Sequence, residues 1–200
     1  MVLLTRRPFR RTARESVMST IKTPTSVEAA PEAARPLLAA VEKQLGSVPN
    51  LFRVVANSPA ALEGYLGLSA ALGKGALDAR TRERIALAVA QVNGCGYCLA
   101  AHSYLGRNLA KLDEAEILAN RNGRSNDARA DAAVRFAVAI VTERGHVGAD
   151  AVETARAAGY SDGELVEIVA HVALNTLTNY VNEVAGTVID FPAVDLRLAS

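Results

Sequence analysis

The feature that most constrains the fold of this 200-residue chain is its punctuation: helix starts and helix stops recur from about Ser26 onward, with no alternating segment between them. Ser58-Pro59 sets an N-cap before a proline at the first helical position, and Asp78, Asp113 and Asp127 stand where caps belong ahead of apolar-periodic stretches. Ser161 with Glu164 spells a capping box. The stops are Gly46, Gly73 to Gly75, Asn93-Gly94, Asn122-Gly123, Gly159 and Gly186. These signals predict a helix within Val27 to Leu45, with Pro31 and Pro36 limiting where its regular part begins, and a short helical turn over Leu51 to Ala56. Further helices follow from Pro59, from Asp78 to Val92, from Cys95 to about Leu109, and from Asp113 to about Asn122. Asp127 to Arg144, Gly148 to Ala158 and Ser161 to about Ala185 complete the set. The expectation is a single all-α domain.

Composition narrows how such helices pack and what they serve. Half of the residues are hydrophobic, only 4% are aromatic and Trp is absent, so small side chains must bring helices close together. That apolar share exceeds what short helices hide on their own, which predicts burial between subunits of a homo-oligomer. Lys and Arg number 22 against 21 Asp and Glu, a net charge of +1, which gives no basis for nucleic acid or an anionic membrane as partner. The apolar run Ile85 to Val92 is too short to span a bilayer and already holds Gln91. Residues 1–25 read as a basic tail, with Arg6, Arg7, Arg10, Arg11 and Arg14 ahead of the first acid, Glu15. No apolar h-region follows these arginines, so a solvated, disordered tail, upstream of a second candidate start at Met18, is preferred over a transit peptide or a nucleic-acid arm. Residues 26–188 form the expected domain and 189–200 a C-terminal arm.

The chemistry concentrates in Glu83 to His102. On a helix, positions 95, 98 and 102 fall within roughly 60° of one another, so both sulfurs of Cys95-Gly-Tyr-Cys98 and the His102 imidazole share a face. Cys95 sits at the first turn after Gly94, where free N–H groups and the helix dipole favour a thiolate. His102, one turn past Cys98, is placed to take that thiol's proton, and the break at Asn93-Gly94 folds Glu83 back to orient the imidazole or relay a proton. With only two cysteines, two residues apart, a secreted disulfide framework is excluded and a cytoplasmic redox pair is expected. Cys98, read as the deeper thiol beside His102, is expected to attack peroxide, and Cys95, the outer one, to resolve the sulfenic acid into a disulfide. That cycle needs neither a metal nor an organic cofactor.

In these residues the chain resembles the alkylhydroperoxidase D-like, or carboxymuconolactone decarboxylase-like, family. Its signature is a Glu twelve positions before a Cys-x-x-Cys and a His four after it, matched here by Glu83, Cys95, Cys98 and His102. The likeness extends more loosely from Val48-Pro49-Asn50-Leu51-Phe52 to Asn179-Tyr180-Val181-Asn182. Asn179-Tyr180 and Ile189-Asp190-Phe191-Pro192 are similar to the peroxidase-related branch. The resemblance implies an all-helical fold, trimers or larger rings of trimers such as hexamers, and reduction of hydroperoxides with a lipoyl-type dithiol, or a thioredoxin-type one, as reductant. Some members carry a His directly before the second cysteine. Here Tyr97 stands there, a poor base near neutral pH with a reference pKa of about 10, so a relay through that His is absent. The lactone decarboxylase branch lacks the cysteine pair, and its reaction is not the one implied.

Other readings compete at these and other positions. The same cysteine pair also serves a non-enzymatic redox sensor or assembly module, and Cys95, Cys98, His102 and Glu83 make four conceivable zinc ligands, although a second Cys or His pair is missing. His171, Asn175, Thr178 and Asn182 recur at helical spacing as a polar stripe, expected as a hydrogen-bond ladder between helices or subunits, with a polar pocket wall as the sharper alternative. Arg80, Arg82 and Arg84 read as a solvated face, Tyr65, Leu66 and Leu68 as core or subunit contacts, and His146 as a solvated residue beyond a helix end.

Overall fold

A computed structural model describes residues 19–198. The basic stretch Met1 to Arg14 lies outside the described residues. Among those described, nine α-helices and no strand are present: α1 Arg35–Leu45, α2 Asn50–Val55, α3 Pro59–Leu72, α4 Ala79–Asn93, α5 Gly96–Asn108, α6 Glu114–Arg121, α7 Ala128–Thr142, α8 Ala149–Ala157 and α9 Asp162–Ala185. The all-α expectation holds, and so do the caps that produced it. Ser58, Asp78, Asp113 and Asp127 each accept a backbone N–H in the first turn they precede, and Ser161 and Glu164 close the capping box reciprocally.

One boundary moves substantially. The helix expected within Val27 to Leu45 becomes regular only at Arg35, after a single 3-10 turn at Glu32–Ala34, because Pro36 is tolerated in a first turn and nowhere later. Helix α7 likewise ends at Thr142 rather than Arg144, whose φ of 56° carries the chain out of the helix ahead of Gly145.

Helix α4 is the central strut, packed against α5, α6, α7 and α9. Its run Arg84 to Ala90 is buried all the way round, as a helix without a solvent face must be. Ile85 and Val89 face one apolar cluster with Phe136, Ile140, Leu165 and Ile168, whereas Leu87 and Ala90 face another with Leu38, Leu51, Leu62 and Leu99. The alanines of α4 let neighbouring helices approach closely, the role that the aromatic-poor composition demanded. Arg84 departs from the solvated face expected of it: it is 6% exposed and its Nε lies 2.6 Å from Glu116 Oε1.

Both ends of the described chain meet near the close of α9. Residues 19–21 bond to its last carbonyls, Ser19 Oγ donating to Ala185 O at 2.9 Å and Thr20 N to the same oxygen at 2.7 Å. After Gly186 the irregular segment 187–198 straps across the start of α5: Ile189 and Leu196 pack over Gly96, and the Phe191 ring meets the Tyr97 ring edge-on at 5.8 Å. Asn50 N donates to Asp190 Oδ2 at 2.7 Å and Gln91 Nε2 to Leu196 O at 2.8 Å, fixing that strap to α2 and α4. No helix among the described residues is long and apolar enough to cross a membrane. On the outer side of α9, Val166, Leu177, Tyr180 and Val184 stay exposed in the single chain.

Candidate active site

The α4–α5 hairpin builds half of the site locally. Helix α4 ends on Gly94, whose φ of 69° reverses the chain in the left-handed region open to glycine, so Cys95 falls at the N-cap of α5 and Glu83 folds back beside α5. Glu83 Oε2 lies 2.9 Å from His102 Nδ1, which fixes the ring and leaves Nε2 for the pocket. Burial pulls the His102 pKa down, but the charge of Glu83, its hydrogen bond and the Cys98 sulfur outweigh it, and the net direction is up.

Helix α9 supplies the other half. Asn182 Nδ2 donates to Cys98 Sγ at 3.2 Å, and Asn179 is held in register by Asn93 Nδ2, which donates to its Oδ1 at 2.9 Å. The Cys98 thiolate is favoured first by a hydrogen bond from Cys95, then, against the cost of burial, by the charge of His102 and by the amide of Asn182. Together they hold its pKa at about 6. Cys95 moves the opposite way: its hydrogen bond to Cys98, its burial and the charge on its neighbour all push its pKa up.

Two sequence expectations are corrected here. Cys95 does accept the Cys98 N–H at 3.3 Å, as an N-cap should, yet it is Cys98 whose pKa falls, through the hydrogen bond from Cys95, the charge of His102 and the Asn182 amide. The assignment of deeper and outer thiols is also reversed. Cys98 lines a cavity of about 570 Å³, whereas Cys95, fully buried, does not line it.

Of the remaining candidates, Tyr97, His171 and Asn175 all line that cavity. Tyr97 acts as a joint rather than a base: its hydroxyl accepts the Leu51 N–H at 3.2 Å and bonds the Asp190 side chain, and burial pushes its pKa up. The polar stripe divides. Asn175 and Thr178 bond to carbonyls of their own helix, Asn182 turns to the sulfur, and His171 Nε2, on a residue 5% exposed, has no partner among the described residues. Tyr65 and Leu66 line the same cavity, and burial, with the charges of Cys98 and Glu83, raises the Tyr65 pKa to about 12. Sequence reasoning missed the sulfur contact of Asn182; its place in the stripe was the available signal, but its direction was not. The zinc reading finds no ligand set: Glu83 and His102 bond each other, and no group of three or more His, Cys, Asp or Glu among the described residues is placed to hold a metal ion.

Fold and site together define a class of all-helical proteins that set a cysteine pair, an imidazole–carboxylate couple and helix-borne amides around one cavity. In its central helices the chain is similar to the carboxymuconolactone decarboxylase family. The sequence model of the carboxymuconolactone decarboxylase family matches residues 59–143, which span α3 to α7 and contain Glu83, Cys95, Cys98 and His102. Among solved structures, an alkylhydroperoxidase AhpD core protein from Ralstonia eutropha JMP134, peroxidase-related and uncharacterized, superposes with a TM-score of 0.76 at 24% identity, covering 85% of this chain and 92% of that one. A peroxidase-related protein from Silicibacter sp. TM1040 gives 0.72 at 23% identity, over 86% of this chain and 94% of that one. A variant of the debrominase Bmp8 in complex with 2,3,4-tribromopyrrole gives 0.73 at 21% identity, over 88% and 94%. At these identities the likeness is one of fold. No curated protein matches the chain in sequence.

Proposed function

We propose that this protein is a thiol-dependent peroxidase that reduces organic hydroperoxides through a Cys95–Cys98 disulfide cycle. The observation that carries the reading is the asymmetry of the pair: the thiol facing the cavity has its pKa held at about 6, and the thiol behind it is kept protonated. The peroxidase-related proteins of the same fold support it.

The cycle balances on this chain's own groups. The Cys98 thiolate attacks the terminal peroxide oxygen, the O–O bond breaks, and the departing alkoxide takes a proton from the His102 imidazolium, leaving an alcohol and a Cys98 sulfenic acid. Glu83 holds the ring in place and favours its charged form through the contact at Nδ1. Cys95 then gives up its proton and attacks the Cys98 sulfur, hydroxide leaves as water, and a disulfide forms. A dithiol of the lipoyl or thioredoxin type restores both thiols and departs as its own disulfide. The reading includes work in the cytoplasm and assembly into a homo-oligomer, a trimer or hexamer, through the exposed apolar side of α9. Light scattering on the purified chain tests the assembly.

Turnover of cumene hydroperoxide with dihydrolipoamide tests the activity, in the wild type and in Cys98→Ser and Cys95→Ser. The proposal expects Cys98→Ser to lose the first oxidation and Cys95→Ser to stop after one equivalent, at the sulfenic acid. If the two thiols oxidise to a disulfide without turnover, the enzyme reading fails and a redox switch replaces it.

A further inference from the structure

The cavity is larger and more polar than an alkyl peroxide requires. A volume of about 570 Å³ is that of a site for a molecule of some size, and its two ends differ in chemistry. At one end lies Cys98 against Asn182; His171 lies on the same helix eleven residues earlier, about 16 Å along the axis at the usual rise. Apolar side chains, Leu66, Ala86 and Leu174 among them, line the same cavity.

At the far end two features lack partners. His171 is buried with Nε2 unsatisfied, a costly state unless something fills it. Arg82 also lines the cavity and lies close enough for its charge, after burial, to disfavour the protonated form of His171. Its Nη1 donates to Gly73 O at 3.1 Å and Leu77 O at 2.9 Å, which anchors the guanidinium, while Nε and Nη2 have no partner among the described residues. The neighbouring carboxylates are engaged elsewhere, Glu83 by His102 and Glu167 by the backbone N–H groups of Ala76 and Leu77. An anchored guanidinium with free N–H groups beside a neutral imidazole is a receptor for a planar anion.

We propose that the cavity takes hydroperoxides that carry a carboxylate remote from the peroxy group, with Arg82 and His171 receiving that carboxylate while the peroxide lies against Cys98. Lys74, at the rim of the same cavity, adds a second positive charge at the entrance. The inference rests on the peroxidase reading for the reacting end only, so its test separates the two.

The first arm uses no turnover: iodoacetamide alkylation of Cys98 is timed with octanoate or octan-1-ol present. Octanoate is expected to protect at concentrations at least about tenfold lower than the alcohol. Arg82→Gln and His171→Leu should each erase most of that preference, measured against each variant's own alkylation rate without ligand, and Arg82→Lys should keep part of it. Circular dichroism confirms that each variant is folded, and His171→Leu stands if Arg82→Gln is not. The second arm compares kcat/KM for a fatty-acid hydroperoxide with that for its methyl ester, expecting the acid to be favoured at least about tenfold. Equal protection by octanoate and octanol, or protection that survives both substitutions, overturns the proposal. Protection without turnover of any hydroperoxide keeps the anion site and removes the peroxidase reading.

Discussion

Removing the amide that faces the sulfur should move the reactivity of Cys98 along the pH axis rather than simply lower it. In Asn182→Ala the Nδ2–H donor 3.2 Å from Cys98 Sγ is lost. A hydrogen bond to a charged group contributes about 1.5–3 kcal/mol, or roughly one to two pKa units, so a thiol held at about 6 should titrate near 7.5. At pH 5.5 the thiolate fraction then drops about 24-fold. A more basic thiolate is, however, intrinsically more nucleophilic, with a Brønsted slope of about 0.45, which returns a factor of about five. The variant should therefore react with iodoacetamide about fivefold more slowly than wild type at pH 5.5 and about fivefold faster at pH 9, the two profiles crossing near neutrality. Thiolate absorbance at 240 nm gives the midpoint directly, with Cys95→Ser as background to isolate one sulfur. A variant that is slower by one constant factor at every pH, with the midpoint unmoved, would refute the argument that this amide stabilises the thiolate.

Three further outcomes follow from contacts elsewhere. Glu83→Gln removes the charge that holds the His102 pKa up, so the His102 midpoint read by NMR should fall, and the alkaline limb of peroxide reduction, where the imidazolium is lost, should move to lower pH with it. Tyr97→Phe strands the buried Leu51 N–H and frees Asp190, which should cost about 1–3 kcal/mol in denaturant titration and speed hydrogen exchange in 187–198, with the Cys98 midpoint unchanged. Glu116→Gln leaves the buried Arg84 guanidinium unpaired, at a cost of about 3–5 kcal/mol. Because hydrogen bonds from Ser125, Asn120, Asn126 and Arg84 outweigh burial and hold the Glu116 pKa at about 2, its stabilisation is complete above the ordinary value of 4.5 and is lost as pH falls toward 2. The gap in Tm between wild type and Glu116→Gln should accordingly close over that interval, and a gap independent of pH would sink the assignment.

What was legible in the sequence was whatever is encoded within one hairpin or one helix turn. Caps at Ser58, Asp78, Asp113, Asp127 and Ser161 and stops at Gly94 and Gly186 act over three or four residues, so the helices could be placed without knowing the packing. The Glu83–His102 contact followed for the same reason, since a single glycine turn brings the two helices together. The direction of Asn182, the burial of Arg84 against Glu116 and the strap across Gly96 join residues far apart in the chain. Nothing in the local pattern around Asn182 separates an amide aimed at a sulfur from one satisfied on its own helix, as Asn175 is by the carbonyl of His171.

The non-local half also explains why two cysteines on one helix turn are not equivalent. Taken alone, the start of α5 would favour a thiolate at Cys95, which holds the cap position and receives a backbone N–H. Helix α9 opposes that preference by setting the donor of Asn182 on Cys98, while Cys95 stays fully buried and outside the cavity lining. On the proposed cycle an incoming peroxide meets the cavity-facing sulfur of Cys98, with Cys95 held behind it as the resolving thiol. Local sequence supplies the pair and the neighbouring imidazole; the docking of one distant helix makes the surroundings of the two sulfurs differ.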